Sequence, residues 1–384
     1  MYLLLLAVIY LAFISLGLPD SMLGSAWPTI YESFGVPISY MGFVSTTISV
    51  STIISSLLND KLVAKLGTRV VTGISIFLTA VALFGFSLST EFYHLCLFAI
   101  PYGLGAGAVD ASLNNYVALH YNSRHMSWLH CFWGVGTIIS PYIMSFALAN
   151  SVWTDGYKAV SVIQLCIAAA ILLSFPLWKK NGLKNAEEVT VQPVGLIKAF
   201  KIKGVASTLL GFMAYCATES TTMLWASSYF EGVFKMTKEE SAAMGAIFFI
   251  GMTSGRFLSG FISEKLGDRK MIRLGSIISI AGILLIALPF RAVAIAGFVI
   301  LGLGCAPIYP SIIHSTPIKF GRERSQSIIG IQMAFAYLGT TLMPPLFGVM
   351  ANYINISLMP LFLIFFVLLM MIMMKVSDKL TSKK

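Results

Sequence analysis

The stretch Gly103-Leu-Gly-Ala-Gly-Ala-Val-Asp110-Ala-Ser-Leu-Asn114-Asn115 decides how this chain is organised. It lies within an apolar segment, residues 92–119, that is long enough to cross a bilayer as one helix. A charged side chain in hydrocarbon costs about 3 kcal/mol on insertion scales, so its helix needs a polar, water-accessible setting. The glycines let a neighbouring helix approach closely. We therefore predict a helix that packs tightly and lines a substrate path.

The composition is that of a membrane protein. Of the 384 residues, 57% are hydrophobic and only 11% are charged, and the mean hydropathy is +0.84, which excludes an ordinary soluble domain. Apolar runs of about 18 or more residues recur along the chain, which predicts many membrane-spanning helices. The five cysteines are scattered through apolar segments without a metal-binding spacing, so we interpret them as small buried thiols and expect no metal site.

The apolar runs predict an all-α membrane protein of twelve transmembrane helices in two pseudo-symmetric six-helix bundles. The predicted segments are 3–31 (interrupted by Pro19-Asp20), 38–58, 70–89, 92–119, 127–149, 157–178, 204–230, 240–262, 271–288, 292–317, 325–350 and 354–374. The one sustained drop in hydrophobicity lies between the two groups of six. The predicted domains are therefore an N-terminal bundle at 1–178, a cytoplasmic linker at 179–203, a C-terminal bundle at 204–376 and a cytoplasmic tail at 377–384.

The placement of lysine and arginine predicts the orientation. With the N-terminus inside, 21 of the 26 lysines and arginines fall in cytoplasmic loops or in the tail, as the positive-inside rule requires. We therefore predict a multi-pass protein of the cell membrane, inner or plasma, with both termini in the cytoplasm. The net charge of +10 then faces anionic lipid headgroups, and we expect no nucleic-acid partner.

Two loops show that the halves of the chain resemble each other. The loop after the second predicted helix reads Asn59-Asp-Lys-Leu-Val-Ala-Lys-Leu-Gly-Thr-Arg69, and the loop after the eighth reads Gly260-Phe-Ile-Ser-Glu-Lys-Leu-Gly-Asp-Arg-Lys270. Both place an acid next to a base, then a glycine, then another base. An internal duplication explains the correspondence, and repeated halves are how many transporters build a site near the membrane midplane.

Glycines repeat in the same way. Gly103-Leu-Gly in the fourth predicted helix corresponds to Gly302-Leu-Gly in the tenth, and Gly136-Thr in the fifth corresponds to Gly339-Thr in the eleventh. We therefore expect equivalent close helix contacts in the two halves.

The loop from Gly260 to Lys270 resembles the signature loop of the major facilitator superfamily, whose pattern is G-x-x-x-[DE]-[RK]-x-G-x-[RK]-[RK]. The first copy, Asp60 to Arg69, departs from that pattern, since four additional residues separate the acid from the glycine and Ser56 replaces the leading glycine. Together with twelve predicted helices, the loop identifies the chain as a member of this superfamily. The resemblance implies the major facilitator fold, in which two bundles give alternating access to a midplane site.

A narrower resemblance rests on two membrane acids. Leu18-Pro-Asp20-Ser-Met-Leu resembles the N-D-I-L-containing first helix of fucose permease-type symporters, and Asp110-Ala-Ser-Leu-Asn114 resembles the E-T-A-A-N of their fourth helix. The resemblance implies that Asp20 and Asp110 are proton-linked carboxylates and that Asn114 contacts a sugar hydroxyl. His130 and Trp133 stand where that family has glutamine and asparagine, so the substrate need not be fucose.

Both acids have a structural alternative, since each could bond to backbone groups where Pro19 or the glycines interrupt a helix. The functional interpretation rests on desolvation, which disfavours the charged form of a buried carboxylate. Protonation can then occur in the working range, and it removes the charge that resists a conformational change.

Polar and aromatic side chains within the predicted helices suit the donors, acceptors and flat faces that bind a sugar. The predicted substrate-binding residues are Asn114, Asn115, His130, Trp133, Gln164, Trp225 and Gln332. Each amide could instead join two helices, and each tryptophan could be packing or an interface anchor. His130 could also relay protons, since an unperturbed imidazole has a pKa of about 6.5.

Two further charges lie deep in predicted helices of the second half. Glu219 stands about 22 Å and Arg256 about 10 Å from the cytoplasmic ends of their helices, at 1.5 Å per residue, so we expect no direct salt bridge between them. Arg256 is expected to meet Glu264 or helix-end carbonyls. Glu219 is either a substrate ligand or a third proton-coupling group.

The charges of the repeated loops predict a gate on the cytoplasmic side. The predicted gate residues are Asp60, Arg69, Arg256, Glu264 and Arg269. Salt bridges that form in one conformation and break in the other would bias the equilibrium between them. The alternative is an ordinary solvated run of charges.

We predict a secondary active transporter and not an enzyme, because the sequence holds no nucleophile–base or metal constellation. The first hypothesis is proton-coupled symport of a monosaccharide or similar small polar solute by alternating access. The alternative is a proton-driven exporter of drugs or metabolites, although residues 136–145 lack three glycines of the antiporter pattern G-x-x-x-G-P-x-x-G-G. We expect no cofactor beyond the proton gradient, with sodium left open, a small-molecule substrate, the lipid bilayer as partner, and a monomer.

Overall fold

The computed structural model describes residues 2–37, 40–180, 193–236, 240–241, 244 and 247–382. Every regular element within those residues is helical. Contacts divide the chain into two compact units. Unit 1 comprises Met1–Tyr116 and Leu129–Pro193, and unit 2 comprises Val117–Trp128 and Val194–Lys384.

The first half of the chain forms long helices that are interrupted at proline, at glycine and at polar loops. They are α1 (Tyr2–Asp20), α2 (Met22–Phe34), α3 (Met41–Leu66), α4 (Thr68–Ser87), α5 (Phe92–His120), α6 (Ser123–Asn150), α7 (Trp153–Leu173) and α8 (Phe175–Lys180). The end of α5 and the start of α6 belong to unit 2.

The second half repeats this pattern. Its helices are α9 (Leu196–Phe200), α10 (Val205–Phe234), α11 (Ile247–Leu266), α12 (Asp268–Ile286), α13 (Arg291–Cys305), α14 (Ile308–Phe320), α15 (Arg322–Met350) and α16 (Met359–Thr381). A π-helical turn at Ala351–Asn355 and a 3-10 turn at Ile356–Leu358 connect the last two helices.

Eight helical stretches in the described residues are long and apolar enough to cross a membrane, and the last of them contains both α15 and α16. The helices α10, α11 and α12 have 30, 20 and 19 residues, so they reach membrane-spanning length although they carry more polar side chains. With α1–α2 and α13–α14 each counted as one interrupted span, six spans precede α9 and six follow it.

Large apolar side chains cover outward faces of these helices, as contact with lipid requires. Phe146 on α6 is 73% exposed and Leu173 on α7 is 83% exposed. The interiors of the units hold fully buried aromatic rings such as Phe13 and Phe298.

The predicted interruption of the first span is confirmed. The helix α1 ends at Asp20, directly after Pro19, and α2 begins at Met22. A second interruption, which we did not predict, lies at Pro307 between α13 and α14. Proline there lacks the amide hydrogen that would continue the ladder.

The predicted domain boundaries differ from these units in two respects. Val117–Trp128 belongs to unit 2, whereas we placed it in the N-terminal bundle. The helix α16 continues through Thr381, so the predicted tail at 377–384 begins inside a helix. Of the predicted linker, 181–192 lie outside the described residues, as do the final residues 383–384.

The glycines of the opening stretch bring two helices onto α5. A Cβ on Gly103 would lie 2.3 Å from the carbonyl oxygen of Ile48 on α3, and one on Gly105 would lie 2.6 Å from the carbonyl oxygen of Ser75 on α4. Such separations are far inside van der Waals contact, so only glycine permits them.

The equivalent glycines make equivalent contacts in unit 2. A Cβ on Gly302 would lie 2.3 Å from the carbonyl oxygen of Phe248 on α11, and one on Gly304 would lie 2.4 Å from the amide nitrogen of Ser279 on α12. The predicted correspondence between the two halves is therefore confirmed at these positions.

The two repeated loops also share one backbone conformation. Gly67 has φ 77° and ψ 154°, and Gly267 has φ 74° and ψ 157°. Each donates its amide hydrogen over 2.8 Å to the carbonyl four residues earlier. A positive φ favours glycine at both positions, which is why the repeated pattern retains it.

Candidate functional site

In unit 1, Asp20 stands at the break between α1 and α2 and is exposed. Its two carboxylate oxygens accept hydrogen bonds from different helices. The Tyr102 hydroxyl on α5 donates to Oδ1 over 2.9 Å, and the Trp133 indole nitrogen on α6 donates to Oδ2 over 2.8 Å. Among the described residues, no basic side chain lies within salt-bridge distance of Asp20.

The position of Asp20 follows from a close crossing of α1 and α6. A Cβ on Gly17 would lie 2.1 Å from the carbonyl oxygen of Trp133, and one on Gly136 would lie 2.3 Å from that of Ile14. At the helix break, the Ser21 hydroxyl donates to a carbonyl oxygen of α6 over 2.7 Å. These contacts fix the start of α2 against the face that carries Trp133.

The second acid lies in the interior of unit 1. Asp110 is 5% exposed, and its Oδ1 accepts a hydrogen bond of 2.7 Å from the Asn114 side-chain amide one turn later. The Asn114 carbonyl oxygen lies 3.1 Å from Nε2 of His130 on α6. A continuous polar chain therefore joins Asp110 to His130.

Both acids are linked to α6 by hydrogen bonds. His130 and Trp133 are three residues apart on α6, so they share a face and are separated by about 4.5 Å along the axis. Asp20 is held by Trp133, and Asp110 reaches His130 through Asn114. One acid is exposed and the other is buried, so the fold gives two carboxylates different environments on one side of α6.

Two amides that we predicted to bind substrate have their polar groups engaged within unit 1. Asn114 is fully buried and bonds to both Asp110 and His130, so a direct sugar contact would require it to rearrange. Gln164 is fully buried and exchanges two hydrogen bonds with Ser15. It therefore connects α7 to α1, and its substrate-binding role stays a prediction. Asn115 is 4% exposed.

In unit 2, Glu219 and Arg256 form a direct salt bridge of 3.2 Å, so our expectation that they do not meet is wrong. Their side chains are 14% and 5% exposed. The predicted helix of Arg256 ends too early, at residue 262. Because α11 continues to Leu266, Arg256 stands about 15 Å from its end, and Glu219 about 21 Å from the start of α10.

The directions in which the two side chains point account for the remaining difference between these two distances. Consecutive membrane helices run in opposite directions, and side chains tilt toward the N-terminus of their own helix. The Glu219 and Arg256 side chains therefore lean toward each other. Because Arg256 compensates the charge of Glu219, this geometry lends no support to the predicted proton-coupling role of Glu219.

The other polar candidates of unit 2 contact neighbouring helices. The Trp225 indole nitrogen donates to the Pro344 carbonyl oxygen over 2.9 Å. The Gln332 carbonyl oxygen accepts from the Thr316 hydroxyl over 3.0 Å, while its amide nitrogen is buried without a partner among the described residues. The NH2 group of Gln332 therefore has no acceptor among the described residues.

The sequence model of the Major Facilitator Superfamily matches residues 9–239 and 207–383. The chain belongs to the Major Facilitator Superfamily. It is therefore a multi-pass membrane transporter of small molecules rather than an enzyme.

Known proteins agree with this assignment. The glucose/mannose transporter GlcP of Bacillus subtilis is 24% identical over 78% of this chain and 77% of its own. A probable nitrate/nitrite antiporter of Thermus thermophilus is 21% identical over 90% of this chain and 84% of its own. The structure of the E. coli fucose:proton symporter FucP matches with a TM-score of 0.81 and 16% identity, over 98% of this chain and 99% of that chain. The predicted twelve-helix fold is confirmed.

The superfamily signature loop has different partners from those we predicted. Glu264 does not pair with Arg256. Its carboxylate accepts from Arg124 over 2.8 Å and from the Asn122 amide over 3.2 Å. Both donors lie in Val117–Trp128, the segment of the first half that belongs to unit 2.

The remaining loop charges contact residues of their own unit. Arg269 lies 3.2 Å from Asp378 near the end of α16. In the first copy, Asp60 is 4% exposed and accepts from the backbone amide of Lys61 over 2.7 Å, and the Arg69 guanidinium lies over the Phe175 ring. The gate role of these superfamily residues stays a prediction.

Three residues of these sites were not predicted from the sequence. Tyr102 stands two turns before Asp110, and nothing in its local sequence indicates that it reaches Asp20. Arg124 and Asp378 are separated by more than 100 residues from Glu264 and Arg269, their respective partners. In the described part of this superfamily member, no group of three or more His, Cys, Asp or Glu side chains could hold a metal ion.

Proposed function

We propose that this transporter is a proton-coupled symporter of a monosaccharide or a similar small polar solute, working by alternating access. The observation that carries the proposal is the pair of carboxylates attached to one face of α6. Asp20 is exposed beside Trp133, and Asp110 is buried behind Asn114 and His130.

The exposed acid suits a proton-binding group that substrate can sense. Its partners Tyr102 and Trp133 are neutral donors, so protonation of Asp20 would remove a charge that no described basic side chain of unit 1 compensates. A change of one unit of charge at a site inside a membrane protein is worth several kcal/mol. That is enough to bias the equilibrium between two conformations.

The buried acid suits a storage site for the proton. Asn114 holds Asp110 near His130 by hydrogen bonds to both residues, and an imidazole exchanges protons near neutral pH. The substrate itself would meet the half-buried Trp133 ring and the acceptor oxygens of Asp20. An aromatic face beside a carboxylate suits a ring that carries hydroxyl groups.

The names of the similar proteins support a sugar as the substrate but do not indicate which sugar. GlcP is named for glucose and mannose and FucP for fucose and protons, whereas the Thermus protein is named for nitrate and nitrite. An exporter or antiporter is the second candidate. Both termini in the cytoplasm, a monomeric state and protons rather than sodium belong to the same proposal.

Counterflow in proteoliposomes tests it. The purified protein is reconstituted with a panel of unlabelled sugars inside, and uptake of each labelled sugar is followed with and without an inward proton gradient. We expect exchange of at least one hexose or pentose, accelerated accumulation with the gradient, and no response to a sodium gradient. If no sugar exchanges and a cationic dye is extruded, the symport proposal is wrong and the protein is an exporter.

A further inference from the structure

Unit 2 contains a basic cavity that the transport mechanism does not use. Its volume is about 980 Å³, within the range of ligand sites. Five cationic side chains line it: Lys201, Lys203, Lys319, Arg324 and Lys379. Four separate parts of unit 2 supply them, namely the turn before α10, the end of α14, the start of α15 and the end of α16.

The positive charge of this basic cavity is largely uncompensated. Lys319 is 8% exposed and lies 2.9 Å from Asp378, which also pairs with Arg269. The other four cations make no ion pair with any described residue, and none of the described residues that line the cavity is acidic. The start of α15 adds the partial positive charge of a helix N-terminus.

Ordinary roles explain only part of this arrangement. Lys319 and Lys379 stand in the last turns of α14 and α16, where a cation stabilises the helix end. The positive-inside rule accounts for basic residues on this side of the membrane in general. Neither explains why Lys201, Lys203 and Arg324 converge on one concave site with those two.

The rest of the wall is apolar. Ile202, Phe320, Val376 and Leu380 line the same cavity, and Val376 and Leu380 are 40% and 45% exposed. A free phosphate ion would gain nothing from such a wall. A lipid would, because its phosphate is joined to a glycerol and acyl chains.

We propose that this cavity binds the phosphate headgroup of an anionic phospholipid. The phosphate lies among the bases of the four segments, and the glycerol end follows Val376 and Leu380 toward the bilayer. On the topology predicted from charge, the lipid comes from the cytoplasmic leaflet. The site is independent of the proposed sugar transport and is tested by binding alone.

The test measures binding of fluorescent phosphatidylglycerol to the full-length protein in neutral detergent, with phosphatidylcholine and inorganic phosphate as competitors. The variant K203Q/R324Q removes two charges from the basic cavity. The control K265Q/R273Q removes two exposed charges of unit 2 that do not line it. A third variant, K203R/R324K, keeps both charges and reports whether charge alone is needed.

We expect K203Q/R324Q to bind phosphatidylglycerol roughly 30-fold more weakly, from about 1 kcal/mol for each basic residue. The control and the charge-conserving variant should bind as the wild type does. Equal weakening in K265Q/R273Q, or equal binding of phosphatidylcholine, would overturn a specific site. Competition by inorganic phosphate as strong as by the lipid would assign the cavity to a soluble anion and overturn the lipid proposal.

Discussion

At the scale of single residues, the two membrane acids of unit 1 differ in what surrounds them. Asp20 is exposed and accepts from a hydroxyl and an indole, whereas Asp110 is buried and accepts from an amide of its own helix. The proposed roles of substrate-side acid and proton store follow from this difference.

Asp110→Asn should separate proton coupling from substrate exchange. The amide keeps the shape of the carboxylate and can still accept from Asn114, but it carries no titratable proton. We expect counterflow within about tenfold of the wild type, while accumulation driven by a pH gradient falls to equilibrium. Asp155→Asn, at an exposed acid of α7, is the control. Wild-type accumulation in D110N would remove Asp110 from proton coupling.

The Glu219–Arg256 pair should behave as a buried salt bridge. Removing one partner of such a pair leaves an uncompensated charge and costs about 3–5 kcal/mol. We expect E219Q and R256M each to lower the unfolding free energy in detergent by that order, and E219Q/R256M to lose much less than the sum. Additive losses in the double variant would show that the two side chains do not interact.

At the scale of helices, glycine contacts set the positions of the site residues. The crossing at Gly17 and Gly136 places Trp133 beside Asp20, and Gly103 and Gly105 hold α5 against two neighbours. The same contacts recur in unit 2 at Gly302 and Gly304. Small residues therefore determine helix approach in both halves.

Replacement of Gly17 or Gly24 by alanine should change the stability of the protein differently. The Cβ of Gly17→Ala would lie 2.1 Å from the Trp133 carbonyl, whereas Gly24→Ala meets no atom within 4 Å. We expect G17A to be destabilised by about 1–3 kcal/mol because α1 must move away from α6. G24A, in the exposed part of α2, should be neutral or stabilised by up to about 1 kcal/mol. Equal melting temperatures of the two variants would contradict the close crossing.

At the scale of the whole molecule, the chain does not divide into units at the linker alone. The segment Val117–Trp128 belongs to unit 2, where Arg124 and Asn122 bond to Glu264. His314 adds a contact of 3.2 Å to the Tyr121 carbonyl oxygen. Within unit 2, the loop that joins α5 to α6 is therefore bonded to the signature loop.

A charge reversal tests whether that connection affects transport. Arg124 and Glu264 are 37% and 31% exposed, so the pair contributes little to stability, up to about 1 kcal/mol. We expect R124E and E264R each to change the initial transport rate several-fold, about the population shift that 1 kcal/mol allows, and R124E/E264R to restore it.

Arg273→Glu reverses an exposed charge of the same unit and serves as the control for this pair. A double variant that transports no better than the single ones would exclude a role for the pair. Unfolding measured in parallel separates an effect on the conformational equilibrium from a loss of folded protein.

The sequence by itself determined the membrane-helical fold, the repeated halves and the glycine contacts. Hydrophobic length, the requirement of a positive φ and the absence of a side chain are properties that neighbouring residues already express, as at Gly67 and Gly103. Only the tertiary structure decided which polar and charged side chains pair. Tyr102 with Asp20, Arg124 with Glu264 and Glu219 with Arg256 are long-range partners. The distances between these partners depend on where helices end and where side chains point, which no local sequence pattern predicts.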